Sequence, residues 1–336
     1  MNEIKNKTII IPGASKCGTS TLYWMMTRSN EVCEIYLKEP TFFCFPEKIV
    51  KDNLNLYMNL FRDTNKTLID ASTYYLYCER AARNIKKYVK NPKILIIIRD
   101  PAERLFSIYL HQHKLIPSED KRNFDLILRQ LFTQENRNLI ELELENLKLA
   151  EKKGLIDING SIKKNKKFLM NNFNLSVDLV NFLNFHEVNF FKNNIFLQLR
   201  YFQESMFSNF IKIYRNYFSD LKVIFFEKLL NNPVETIKEV CEFLDIKYDT
   251  KMSTLPHMNK TILPYKYSRI ILRTIQKFAT HEIFSKLHFL RPLFYSNKPK
   301  MTRSQYNITR SLLKNEYDFW FNKYPELVNI WKYDKN

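Results

Sequence analysis

Short runs that are almost wholly apolar recur along the chain, bounded by polar or turn-forming residues: Ile9–Ile11, Cys33–Leu37, Thr67–Ile69, Ile94–Ile98 and Val223–Phe226. Apolar residues at consecutive rather than alternating positions mark strands buried on both faces. Segments with helical spacing separate most of these runs. Together they predict a three-layer α/β domain, with a central, mainly parallel sheet and helices on both faces. Two helix starts are explicit. Asp100-Pro101-Ala102-Glu103 offers an Asp cap, Pro at the first helical position and Glu at the third, and Asn232-Pro233-Val234-Glu235 repeats that grammar. The second helix should face the core through Val234, Ile237, Val240 and Leu244.

The pattern changes after residue 112. Glu141-Leu142-Glu143-Leu144-Glu145 and the Lys/Asn-rich stretch Lys163–Asn172 read as exposed helices, so 112–192 is expected to be a helical insertion or lid. Residues 260–336 are basic and aromatic with weak helical periodicity, and read as a C-terminal helical cap. Without an internal repeat or a linker, 1–336 is expected to be one domain.

A chain of 336 residues with 45% apolar content can bury a real core. The longest aliphatic run, Ile94–Ile98, falls far short of the roughly 20 residues a membrane-spanning helix needs. The first strand starts near Thr8, leaving no room for a secretory leader. The expectation is a cytoplasmic protein, with peripheral membrane contact left open and oligomeric state not legible. Five cysteines form neither a CxxC pair nor a metal-ligand cluster, and the odd count argues for reduced thiols. Cys17, beside Lys16 at a helix start, is where a lowered thiol pKa would be sought; the plainer reading is a tolerated loop residue. The net charge of +18 favours an anionic partner: nucleic acid, an acidic membrane or glycan, or a phosphorylated cofactor. Its lysines are scattered among asparagines and isoleucines, so charge alone does not choose.

The chemistry concentrates after the first strand. Two of only four glycines, Gly13 and Gly18, fall within Pro12-Gly13-Ala14-Ser15-Lys16-Cys17-Gly18-Thr19-Ser20, which runs from strand into helix. Such a P-loop-like segment cradles phosphate with backbone N–H groups at a helix N-terminus. A nucleoside-triphosphate loop places lysine directly after its second glycine, whereas Lys16 stands two residues before Gly18. A second element follows the strand Ile94–Ile98: Arg99 at the sheet's carboxyl edge and Ser107 on the next helix, a guanidinium fork and a hydroxyl suited to a terminal phosphate. The plainer alternative pairs Arg99 with a local carboxylate.

With these motifs in order, the chain resembles the sulfotransferases that use 3′-phosphoadenosine 5′-phosphosulfate (PAPS). Pro12–Leu22 is similar to their 5′-phosphosulfate loop, and Arg99–Arg104 with Ser107 to their 3′-phosphate element. Lys38-Glu39-Pro40-Thr41-Phe42-Phe43 and Ile69–Leu76 resemble segments of glycan sulfotransferases related to heparan sulfate enzymes, and Phe225–Pro233 with Phe243-Leu244 a later block. The resemblance covers about 8–110 and 200–260. It implies transfer of a sulfuryl group from PAPS, without a metal, to a hydroxyl or amine of a carbohydrate or glycan, anionic acceptors included, leaving 3′,5′-ADP. It implies cofactor binding by Gly13, Ser15, Lys16, Cys17, Gly18, Thr19 and Ser20 at the 5′ end and by Arg99 and Ser107 at the 3′ end. Lys16 would neutralise charge on the leaving oxygen and Glu39 would be the general base. His111, His113 and His257 are competing bases, each also readable as an ordinary histidine. Glu227 reads as structural. No glycine-containing basic loop is evident near the C-terminus, and Lys260 and Arg269 are its candidate substitutes. An ATP-dependent P-loop kinase and a non-catalytic basic nucleic-acid-binding protein are the rival readings. The first lacks the post-glycine lysine and a magnesium-binding strand end; the second lacks any recognition motif.

Overall fold

The computed structural model describes residues 3–115, 124, 128, 202–256, 263–264, 295–296 and 300–333. Five strands form its centre: β1 (Thr8–Gly13), β2 (Val32–Cys33), β3 (Thr67–Asp70), β4 (Lys93–Ile98) and β5 (Leu221–Phe225). They lie in the order β2-β3-β1-β4-β5, and every neighbouring pair is parallel. Ile9, Ile10, Ile11 and Ile94 through Ile98 are fully buried, as a sheet covered on both faces requires. Two boundaries differ from the apolar runs. Of Cys33–Leu37 only Cys33 is in a strand, and Phe226 leaves the sheet to open a helix.

The helices around the sheet are α1 (Thr19–Met26), α2 (Glu47–Asp52), α3 (Leu54–Met58), α4 (Glu79–Tyr88), α5 (Pro101–Leu115), α6 (Phe207–Tyr217), α7 (Phe226–Asn231) and α8 (Pro233–Leu244). Near the C-terminus, β6 (Leu263–Pro264) pairs with β7 (Tyr295–Ser296), followed by α9 (Arg303–Leu312), α10 (Lys314–Lys323) and α11 (Leu327–Ile330). From β1 the chain runs out to the edge strand β2, returns to β3 between the two, then crosses to β4 on the other side of β1. The carboxyl end of β1 is therefore the point where the strand order reverses, where open α/β sheets leave a crevice for ligands.

The Asp100 cap forms as expected: its Oδ1 accepts the N–H groups of Ala102 at 2.8 Å and Glu103 at 3.2 Å. The cap on α8 does not. Pro233 occupies the first turn, but the Asn232 side chain makes no capping bond. The core stripe of α8 is Ile237, Val240, Cys241 and Leu244, while Val234 is 48% exposed. An i, i+3, i+4, i+7 set already fills the buried face, and Val234 precedes it in the first turn. Helix α5 continues to Leu115, past position 112. Apart from 112–115, 124 and 128, the segment 112–192 lies outside the described residues, as do Glu141–Glu145, Lys163–Asn172, His257, Lys260, Arg269 and the side chain of His113.

The C-terminal helices are tied to the end of β4. Tyr306 and Tyr317 donate their hydroxyls to the buried Asp100 carboxylate at 2.7 and 2.6 Å. Trp331 Nε1 donates to Glu227, whose other oxygen accepts the Asp100 N–H at 2.9 Å. Burial raises the Glu227 pKa, and both of its oxygens are engaged in these bonds.

Candidate active site

The loop between β1 and α1 is defined by what surrounds it. A Cβ on Gly13 would stand 2.8 Å from Leu76 Cβ and 3.3 Å from the Thr73 carbonyl, so this glycine permits the segment after β3 to close on the loop. Gly18 has φ +94°, and a Cβ there would meet the Phe226 ring at 2.3 Å. Lys16 also lies in the left-handed region, at φ 66°, a conformation that costs a non-glycine residue of order 1 kcal/mol. Neighbouring bonds enforce it. Ala14 N–H donates to Ile97 C=O at 2.7 Å, Cys17 N–H to Ala14 C=O at 3.2 Å, and Ser15 N–H to the Tyr77 hydroxyl at 3.2 Å. Arg104 Nε donates to Ser15 C=O, also at 3.2 Å.

These bonds redistribute the loop's donors. The backbone groups of Ser15 and the N–H of Cys17 face inward, leaving Ser15 its hydroxyl for a ligand. Gly18, Thr19 and Ser20 open α1, where first-turn N–H groups lack intrahelical acceptors and the helix dipole favours an anion. Cys17 does not have a lowered pKa. Burial pushes its thiol up to about 12, overriding the nearby Arg104 and Arg99 guanidiniums. The residue is a core contact between the loop and the Arg99 backbone.

Arg99 emerges at the carboxyl end of β4 with its side chain 15% exposed. Its Nη2 pairs with Glu103 at 3.2 Å, so the local carboxylate foreseen as the plainer alternative is present. The guanidinium lies 5.4 Å from the centre of the Phe226 ring. Among the described residues, its Nε is a buried donor with no acceptor. An orphaned charged donor costs more than a neutral one, and an anion would satisfy it. Ser107 lies one turn beyond Glu103 on the same face of α5 and is 8% exposed. Phe226 thus touches both halves of the site, with Gly18 on one side and Arg99 on the other. Its position at the end of an apolar run made it look like strand, and nothing in the spacing marked this contact.

Glu39 lies across β3 from the loop. Its Oε1 pairs with Lys38 at 2.9 Å and its Oε2 accepts the Thr73 hydroxyl at 2.9 Å, with the carboxylate 30% exposed. Thr73 is also the residue whose carbonyl borders Gly13, so a single residue connects Glu39 to the loop. Behind it is a hub that sequence reading missed. Asp70, fully buried at the end of β3, accepts from Ser72 N–H at 3.0 Å, Ser72 Oγ at 2.6 Å, Tyr75 Oη at 2.8 Å and Tyr57 Oη at 2.9 Å. Ser72 Oγ accepts the Thr41 N–H at 3.0 Å, fixing the segment that carries Glu39. Burial raises the Asp70 carboxyl to about 6. A charged residue closing an otherwise apolar strand was the available signal. His111 lies on α5 and is half-buried.

A parallel sheet with a glycine-bounded, lysine-bearing loop at its switch point, and at the next strand end an arginine whose Nε has no acceptor among the described residues, is the arrangement of a nucleotide-dependent group-transfer class. The chain matches the sulfotransferase domain family over residues 6–307 and belongs to it. It is therefore a PAPS-dependent sulfotransferase, PAPS being the donor generally used across that family. No curated protein matches the chain. Similar solved structures include a sulfotransferase from Alicyclobacillus acidocaldarius, at 18% identity and TM-score 0.44, covering 81% of this chain and 92% of that one. The sulfotransferase domain of an olefin synthase from Synechococcus PCC 7002 shares 10% identity at TM-score 0.43, covering 93% and 95%. A sulfotransferase domain from the curacin biosynthetic pathway shares 12% at TM-score 0.40, covering 93% and 98%.

Proposed function

We propose that this enzyme transfers the sulfuryl group of PAPS to a hydroxyl or amine of a carbohydrate or glycan, with Lys16 and Glu39 as its catalytic residues. The observation that carries the donor assignment is Arg99 Nε, a buried charged donor with no acceptor among the described residues, on the Phe226 ring that also packs against Gly18 of the loop. PAPS, when bound, supplies the sulfuryl group and leaves as 3′,5′-ADP. The Ser15 hydroxyl and the helix-opening N–H groups of Gly18, Thr19 and Ser20, with the Thr19 and Ser20 hydroxyls, hold the 5′ end. Gly13 and Cys17 shape the loop without exposing a side chain to it. Arg99 and Ser107 hold the 3′-phosphate, and Glu103, 36% exposed, can turn away to admit it. Lys16 neutralises charge developing on the departing oxygen, a contribution of roughly 3–4 kcal/mol for one preorganised donor. Glu39 takes the acceptor's proton, with Thr73 and Lys38 orienting its carboxylate.

The reading invokes no metal. The glycan preference rests on the Lys38–Phe43 segment and on the net charge of +18, which would concentrate acidic acceptors. A reducing, cytoplasmic setting fits the five buried, unbridged cysteines. No helix among the described residues is long and apolar enough to cross a membrane.

The test is transfer of ³⁵S from labelled PAPS to glycans, glycolipids and phenols in parallel. Labelling of a glycan that falls about 10²–10³-fold in Lys16→Ala is the expected result, with a comparable loss in Glu39→Gln. Equal labelling of that glycan by wild type and Lys16→Ala would refute the catalytic assignment, and labelling confined to phenols would refute the acceptor class.

A further inference from the structure

Arg104 takes no part in the donor site as described, yet its side chain is wholly excluded from solvent. Its Nη2 pairs with Glu204 at 2.5 Å, its Nη1 donates to Ser205 Oγ at 3.2 Å, and its Nε donates to Ser15 C=O at 3.2 Å. The Tyr77 ring centre lies 6.0 Å from the guanidinium, and the Tyr77 hydroxyl accepts the Ser15 N–H. A buried ion pair is weak ground for stability, because apolar residues of similar volume often serve as well. What distinguishes arginine is a rigid planar fork, which can pair with a carboxylate and still direct Nε–H at a backbone carbonyl.

That carbonyl belongs to the peptide leading into Lys16. Across the trans Ser15–Lys16 peptide, C=O and N–H point in opposite directions. Holding the carbonyl on the buried side therefore aims the Lys16 N–H away from Arg104, while Tyr77 fixes the peptide before it. Lys16 sits at φ 66°, a conformation that persists only where neighbours over-determine it. We infer that Arg104, oriented by Glu204 and assisted by Tyr77, is the positioning residue that sets the Lys16 peptide for the 5′ end of the donor. The inference rests on the function proposed above, since it assigns the loop to that end. Arg104 itself touches no donor atom in this account.

The experiment is calorimetric titration of wild type, Arg104→Lys and Tyr77→Phe with 3′,5′-ADP and with adenosine 3′-monophosphate. The ratio of the two affinities isolates the 5′-phosphate. In Arg104→Lys, which keeps a charge for Glu204, the ratio should fall about tenfold or more while 3′-monophosphate affinity holds within about twofold. In Tyr77→Phe the ratio should fall a few fold, roughly what one neutral hydrogen bond accounts for. A merely structural role would weaken both ligands together, and that result, or an unchanged ratio, overturns the inference. Should Arg104→Lys fail to fold, Tyr77→Phe decides alone by the same criterion. A wild-type ratio near one would overturn the assignment of the loop, and this inference with it, a failure visible before any variant is made.

Discussion

At the scale of single residues, the loop is governed by exclusion. Gly18 has no room for a side chain because the Phe226 ring occupies it, and its φ of +94° lies outside the usual range of any other residue. Gly18→Ala should therefore lower stability by at least about 2 kcal/mol, combining backbone strain with overpacking. Chemical denaturation would show this, and an unchanged midpoint would contradict it. Cys17 makes the opposite point about reactivity. Proximity to Lys16 and a helix start suggested an activated thiol, but burial holds its pKa near 12. Native protein treated with N-ethylmaleimide at pH 8 should leave Cys17 unlabelled in a peptide map, and rapid labelling would show the loop to be open where it is closed here. The sequence contained Lys16, Arg99, Glu39 and both glycines in recognisable spacing. It could not show which loop donors face inward, because Tyr77 and Arg104 lie 62 and 89 positions from Ser15.

At the scale of elements, two carboxylates at strand ends organise the segments around the site. Asp70, at about 6 against an ordinary 3.8, keeps its proton in the folded protein across a pH range where the unfolded chain has released it. The stability from that proton is present in full below about pH 4 and is lost as pH rises through 6, amounting to about 3 kcal/mol. Asp70→Asn, which cannot ionise, should gain on wild type by roughly 5 °C in melting temperature between pH 4 and 7. Parallel pH profiles would assign the titration elsewhere. Asp100 caps α5 and accepts both C-terminal tyrosines. Asp100→Ala should cost on the order of 3–5 kcal/mol, since one cap is lost and two buried phenols lose the carboxylate that accepts their protons. Urea unfolding measures this directly, and a loss below about 1 kcal/mol would mean that those contacts are replaceable. The Asp100 cap was legible because capping is local. The tyrosine contacts span more than 200 positions, and the apparent cap at Asn232 shows that a cap-like motif does not guarantee a side-chain bond.

At the scale of the whole molecule, five consecutive-apolar runs were enough to anticipate a buried parallel sheet, because a strand covered on both faces leaves that pattern wherever it occurs. Strand order was not in the pattern, since it depends on crossovers, and it is the crossover between β3 and β4 that places the loop of β1 beside Arg99. One crevice at the carboxyl edge of this sheet is expected to hold a nucleotide with phosphate at both ends. Calorimetric comparison of 3′,5′-ADP with adenosine 5′-monophosphate tests it, because the two differ only in the 3′-phosphate. Wild type should prefer 3′,5′-ADP by about 10²-fold or more, as expected for a charge-assisted, bidentate contact, and Arg99→Ala should lose most of that preference. Equal affinities in wild type, or a preference that survives Arg99→Ala intact, would contradict the claim.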